Sequence, residues 1–242
     1  MREAFFGNAG EARQHAAASL DFSKGRFVEY GAALALALVG DTAQSQALAK
    51  DLEEASEDTF TQFNYLPTLR ALWALKRGDS WGAIELLQNA ARYELGVGSN
   101  ATGLYGILSP VYVRGQAYLQ AHRYAEAAGE FQRILDYPGV VFTDPVGAMA
   151  RWQLARAFSM SGDTAKAKAA YHDFLTLWKD ADRDIPTIHP NLWAEFSFRL
   201  SAHRQKRQIC HLALECYSSG ETHVRSYVAK RRFSVYFCPV NA

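Results

Sequence analysis

Gly162-Asp163-Thr164-Ala165-Lys166-Ala167-Lys168-Ala169-Ala170-Tyr171-His172-Asp173-Phe174 is the stretch that decides the fold. Its Gly-Asp pair marks a turn, and Asp163 stands where a helix N-cap is expected. Ala167, Tyr171 and Phe174 follow at i, i+4 and i+7, one stripe of a helix. Used as a ruler, the stretch finds earlier copies of itself. Turns of the same kind fall at Gly7-Asn8, Gly40-Asp41, Gly78-Asp79 and His122-Arg123, at steps of 33, 38, 44 and 40 residues.

The same offsets recur after each turn. Five residues on are Ala12, Ser45, Ala83, Ala127 and Ala167, all small. Nine on are Ala16, Ala49, Leu87, Phe131 and Tyr171, and twelve on are Ser19, Leu52, Ala90, Ile134 and Phe174. Seven residues before the last four turns are Ala33, Ala71, Gly115 and Ala155, and four before them are Leu36, Ala74, Tyr118 and Phe158. Each unit reads as two antiparallel helices, with small residues where the backbones cross closely and large ones beside them. One hairpin cannot bury its apolar face alone, whereas a stack can. The spacing therefore predicts an all-α right-handed solenoid of about four hairpins plus a leading half unit.

These residues resemble the tetratricopeptide repeat. Gly115 and Ala155 match its small position in the first helix, with Tyr118 and Phe158 as the aromatic that follows. Ala127 and Ala167 match the small position of the second helix, with Phe131 and Tyr171 as its large aromatic. Only Pro138 approximates the closing proline, and steps of 38 to 44 exceed the nominal ~34 residues. Longer loops are expected to absorb the excess, as at Gly139-Val140-Val141-Phe142-Thr143-Asp144. The likeness covers residues 7–179 and is strong in the last two units.

Several phrases resemble a narrower group. They are Tyr30-Gly31-Ala32-Ala33-Leu34-Ala35-Leu36-Ala37-Leu38, Tyr112-Val113-Arg114-Gly115 and Phe174-Leu175-Thr176-Leu177-Trp178-Lys179-Asp180-Ala181-Asp182. The group is the C-terminal repeat region of large acidobacterial-type serine/threonine protein kinases and related winged-helix regulators. In such proteins a membrane segment separates the repeats from an N-terminal kinase or DNA-binding domain. The sequence has no Gly-rich nucleotide loop, His-Arg-Asp loop or Asp-Phe-Gly, so no residue inherits kinase activity.

The repeat sets the expected organisation. Residues 1–22 are a truncated leading half repeat, since residues 1–6 are too short for a full first helix. Residues 23–182 form the tetratricopeptide-like domain. Residues 183–242 are a basic tail, poorly ordered or foreign to the repeat. From residue 187 the tail carries eight Lys/Arg against three Asp/Glu and all three cysteines, while residues 1–186 are net −4. The balance of the main body does not favour nucleic acid as a partner. Phe233, Val235 and Phe237 alternate like a strand, whereas Leu192, Phe196 and Leu200 could continue a helix. A frame change or junction that replaced a last solvating helix is the reading preferred over a basic binding tail.

Catalytic and metal readings find little support. Cys210, His211, Cys216 and His223 lack the local Cys-x2-Cys pair of zinc motifs. Gly96, Gly98 and Gly103 are not followed by a Gly-Lys-Ser/Thr and read as a linker. Asn100-Ala101-Thr102 is a glycosylation sequon without a secretory signal before it. His15, His122 and His172 lie in different units with no recurring Ser or Cys partner. Glu53, Glu54 and Glu57 read as a solvated face. Arg70 and Arg114 share one repeat position and are expected to pair with neighbouring carboxylates. No cofactor and no catalytic residue is expected. The longest apolar run, residues 31–39, falls far short of the ~20 residues of a membrane helix. The expected compartment is the cytoplasm, or the extracytoplasmic side if the chain belongs to a membrane-anchored kinase.

The functional expectation falls on the first helix of each hairpin, which lines the inner groove of such a solenoid. Three residues before its small position are Tyr30, Thr68, Tyr112 and Trp152. One residue after it are Leu34, Leu72, Gln116 and Arg156. Aromatic residues flanked by polar ones are what protein-binding surfaces favour. Tyr112, Gln116, Trp152, Arg156, Thr68 and Leu72 are therefore the candidate partner-binding set. Tyr30 leans towards packing; for Tyr112 and Trp152, packing between units and partner contact are both open. The chain is expected to be a non-catalytic scaffold that binds a peptide or partner domain, the regulatory end of a bacterial signalling protein. The alternative is a C-terminal fragment of a multidomain kinase, inactive without its catalytic domain. An enzyme that uses the groove is the third and weakest reading.

Overall fold

The computed structural model describes residues 1–55, 58–96 and 106–178. The chain divides into two units, Met1–Thr187 and Ile188–Ala242, and every described residue lies in the first. The tail, its cysteines and histidines, the sequon at Asn100 and most of the glycine-rich loop lie outside the described residues.

The described residues are all-α, with no strand among them. They begin with α1 (Arg2–Phe5), α2 (Ala9–Phe22), α3 (Arg26–Leu38) and α4 (Thr42–Ala55). A π-helical segment, Thr61–Tyr65, runs into α5 (Leu66–Lys76), and α6 (Ser80–Gln88) ends in a 3-10 turn at Asn89–Arg92. Then come α7 (Ser109–Gln120), α8 (Tyr124–Leu135), the short α9 (Pro138–Val141), α10 (Pro145–Ser161) and α11 (Thr164–Leu177).

The five turns marked by the sequence ruler share one backbone geometry. Gly7, Gly40, Gly78 and Gly162 have φ between 83° and 86°, and His122 has φ 59°. After each, the next amide donates back to the preceding helix: Asn8 to Glu3, Asp41 to Leu36, Asp79 to Ala74, Arg123 to Tyr118 and Asp163 to Phe158, at 2.8–3.0 Å. This is the Schellman closure, in which one left-handed residue reverses the chain and satisfies orphan carbonyls. The next helix starts at once. Asp79 accepts from the Gly82 amide at 2.8 Å and Asp163 from the Lys166 amide at 3.1 Å, while Asp41 meets Arg13 of α2 at 3.4 Å. An L side chain in the left-handed region costs about 1–2 kcal/mol. A Cβ on Gly162 would meet nothing within 4 Å, so its substitution carries only this backbone cost. Gly162→Ala is therefore expected to lower stability by about 1 kcal/mol, or about 2–4 °C in a thermal melt; an unchanged Tm would remove the closure argument.

The small positions lie where the ruler puts them. Ala33, Ser45, Ala71, Ala83, Gly115, Ala127 and Ala155 are buried, with Leu52, Leu87, Phe131, Ile134 and Phe174 packed beside them. Within the hairpins α3 packs on α4, α5 on α6, α7 on α8 and α10 on α11. The first helices also touch in series, α3 with α5, α5 with α7 and α7 with α10, and each second helix touches the first helix that follows. The architecture is thus a layered stack of neighbouring helical hairpins.

Pro67 stands in the first turn of α5, and helical backbone precedes it as the π segment, where the Leu66 amide bonds the Thr61 carbonyl five residues back. Proline lacks the amide hydrogen for an i−4 bond and its ring crowds that carbonyl, so the wider turn accommodates it. The loop expected at residues 139–144 is partly helical, as α9, and Asp144 caps α10 by accepting from the Val146 amide at 3.0 Å. Residues 1–6, too short for a full first helix, still form the one-turn α1 closed by Gly7.

Candidate functional site

The six candidate residues divide by burial. Thr68 is 0% exposed, Tyr112 2% and Leu72 4%. They belong to the interior, and for Tyr112 part of the cover is Phe5 of α1. Thr68 donates its hydroxyl to the Asn64 carbonyl at 2.6 Å, the helix-internal bond that lets a buried threonine satisfy its proton. Tyr30 is buried too, stacked on Tyr65 with ring centroids 3.8 Å apart. Gln116, Trp152 and Arg156 are half-buried and keep a face towards solvent.

Gln116 directly, and Arg156 through Gln153, connect to the buried phenol of Tyr112. Gln116 Nε2 on the same helix donates to the Tyr112 oxygen at 3.3 Å, and Gln153 Nε2 of α10 donates to it at 3.2 Å. Arg156 donates to Gln153 Oε1 at 2.8 Å, and its guanidinium lies 5.2 Å from the centre of the Trp152 ring. Burial pushes the Tyr112 phenol up to about 12, against the Gln153 hydrogen bond and the Arg156 charge, which both favour ionisation. Tyr112 is therefore a neutral anchor at physiological pH, and it ties α7 to α10 through Gln153. The Trp152 indole Nε1 is buried and has no hydrogen-bond partner among the described residues.

Gln153 escaped the sequence reading because it stands one residue after the Trp152 position, off the repeat offsets used to pick the groove. The only available signal was a glutamine between two apolar neighbours on a helix expected to be half buried.

A second polar cluster is buried and does a different job. Arg114 bonds Glu94, Glu130 at 2.6 Å and the Leu87 carbonyl at 3.3 Å, and Arg133 reaches Glu94 at 3.2 Å. Burial works against the Arg114 charge, but hydrogen bonds to Glu130 and Glu94 outweigh it and raise the guanidinium above its ordinary pKa. Arg70 pairs with Glu53 at 2.8 Å, as expected of the shared repeat position. The Arg114–Glu94 and Arg70–Glu53 pairs both join adjacent hairpins.

No protein-family model, curated protein or solved structure gives a significant match to the chain. The site must be read from its own chemistry. Among the described residues there is no group of three or more His, Cys, Asp or Glu side chains that could hold a metal. His15 and His172 are exposed and separate, and the His122 ring bonds the Tyr124 hydroxyl at 2.8 Å beside its turn. None of the described helices is long and apolar enough to cross a membrane.

Arg156, Trp152 and Gln116 supply one fixed positive charge, an aromatic face and amide groups, with an indole N–H that has no acceptor among the described residues. Such a set can bind a carbonyl or carboxylate presented by a partner. It contains no nucleophile with an adjacent base, which covalent or acid–base chemistry would require.

Proposed function

We propose that the chain is a protein-binding module of stacked helical hairpins, a right-handed tetratricopeptide-like solenoid whose first helices receive a peptide or partner domain. The reading rests on Trp152. Its ring is half open and stands beside the fixed guanidinium of Arg156, 5.2 Å from the ring centre. A partner carbonyl or carboxylate accepts from Arg156, while its apolar flank covers the ring. Tryptophan and arginine are the side chains on which binding energy concentrates in protein interfaces.

The binding set is accordingly Gln116, Trp152 and Arg156, with Tyr112 and Gln153 holding them in place. The test compares the full chain with Trp152→Ala plus Arg156→Ala in cross-linked pull-downs. The double variant is expected to lose the partners held by the wild type and to keep its fold by circular dichroism. Retention of the same partners would refute the groove. That the module regulates a signalling kinase rests on the resemblance of its phrases alone. An in-frame kinase domain in the genomic DNA upstream of Met1 would support that role, and its absence would withdraw it.

A further inference from the structure

Helix α1 reaches hairpins far from its own. It packs on α2 and α3, as its place in the chain dictates, but it also touches α10. Phe5 sets its edge against Tyr112 of α7, with centroids 5.5 Å apart and planes at 77°. Phe6 does the same to Trp178 just after α11, at 5.2 Å. Ala4, Phe5 and Phe6 are all buried, whereas Arg2 is exposed. A segment that meets α3, α7 and α10 together must lie across the face that these first helices share. The candidate groove positions stand on these same helices, and Phe5 touches one of them, Tyr112.

We propose that α1 is an internal occupant of the groove, and that the groove's partner is a short helix carrying two adjacent aromatic residues, which takes its place. The inference rests on the groove reading above. Its chemistry follows from what already sits there: aromatic edges at Tyr112 and Trp178 prefer an aromatic guest. A helix of four residues has no stability of its own. Side-chain docking therefore holds α1 in place, and the left-handed Gly7 joins it to α2. Such a joint opens locally without unfolding the stack. If α1 is out for only about 1–10% of the time, an external helix binds about 10–100-fold more weakly than its intrinsic affinity.

The probe is an N-acetylated, fluorescein-labelled peptide of residues 1–10, titrated into the full-length chain by fluorescence anisotropy. Phe5→Ala with Phe6→Ala in the protein is expected to tighten peptide binding at least about tenfold over wild type. Gly7→Ala, which keeps both aromatic rings but strains the joint, is expected to tighten it as well, so the test does not depend on one variant folding. Trp178→Ala on the double-alanine background should weaken binding again, and a peptide with alanine at both phenylalanines should not bind. Equal affinity for wild type and both α1 variants, or no binding to any folded variant, overturns the proposal. If Trp152→Ala plus Arg156→Ala still abolishes partner capture in that case, the groove reading survives and only the internal occupant is withdrawn.

Discussion

Arg114→Ala lowers the stability of the chain by about 3–5 kcal/mol, because it strands a carboxylate that is wholly inside the protein. Glu94 is 0% exposed, and Arg114 is its closest cation. Arg133 remains near it at 3.2 Å but is itself partly exposed, so it compensates only in part. Glu130, also bonded to Arg114, is near enough to the surface to turn to water. For a unit of this size the loss amounts to a fall in Tm on the order of 10 °C. The cause is testable apart from the size. Removing both charges, as Arg114→Met with Glu94→Leu, is expected to recover most of the loss, since an apolar pair of similar volume can replace a buried ion pair at little cost. If the double variant melts as low as Arg114→Ala alone, the stranded charge is not the reason.

The second large effect concerns the crossing of α7 and α8. A Cβ on Gly115 would stand 2.7 Å from Phe131, and that ring is itself wholly buried. The phenyl cannot swing away without displacing its neighbours, so Gly115→Ala is expected to cost about 1–3 kcal/mol by overpacking. This outweighs the ~1 kcal/mol that alanine ordinarily gains over glycine within a helix. Phe131→Ala alone should cost about 3–5 kcal/mol by leaving a cavity. In that background the obstruction is gone, so Gly115→Ala should change sign and become neutral or stabilising. Urea denaturation of the four proteins measures both terms. Simple additivity of the two substitutions would mean that this contact does not limit the approach of the helices.

These two sites differ in how far the sequence revealed them. Gly115 and Phe131 occupy repeat positions, and their pairing follows from the same offsets that pair Ala155 with Tyr171. Arg114 was expected to find a carboxylate, because Arg70 stands at the equivalent position and pairing is what that position requires. Which carboxylate was not readable. Glu94 follows the 3-10 turn at Asn89–Arg92, where α6 departs from the ruler, and no periodicity marks a residue at the end of an irregular segment.

The candidate binding positions were legible as offsets but not as a surface. The offsets picked Tyr112, Gln116, Trp152 and Arg156, which fall on α7 and α10, where hydrogen bonds join Gln116 to Tyr112 and, through Gln153, Tyr112 to Arg156. They could not tell which of these keep a face in water. Thr68, Leu72 and Tyr112 are covered because first helices pack closely on one another, and the depth of that packing depends on side chains from other hairpins.

What the sequence by itself determined is the local geometry of the hairpins. A left-handed turn needs a residue that tolerates positive φ, a close crossing needs a small one, and both demands act over a few residues. Hence Gly7, Gly40, Gly78, His122 and Gly162 could be located by counting. What only the tertiary structure decided is the meeting of α1 with Tyr112 and Trp178. Those contacts join residues more than a hundred positions apart, through the summed packing angles of every hairpin between them. A repeat pattern carries no record of that sum, so the segment that read as a truncated first unit is found packed against Tyr112 and Trp178.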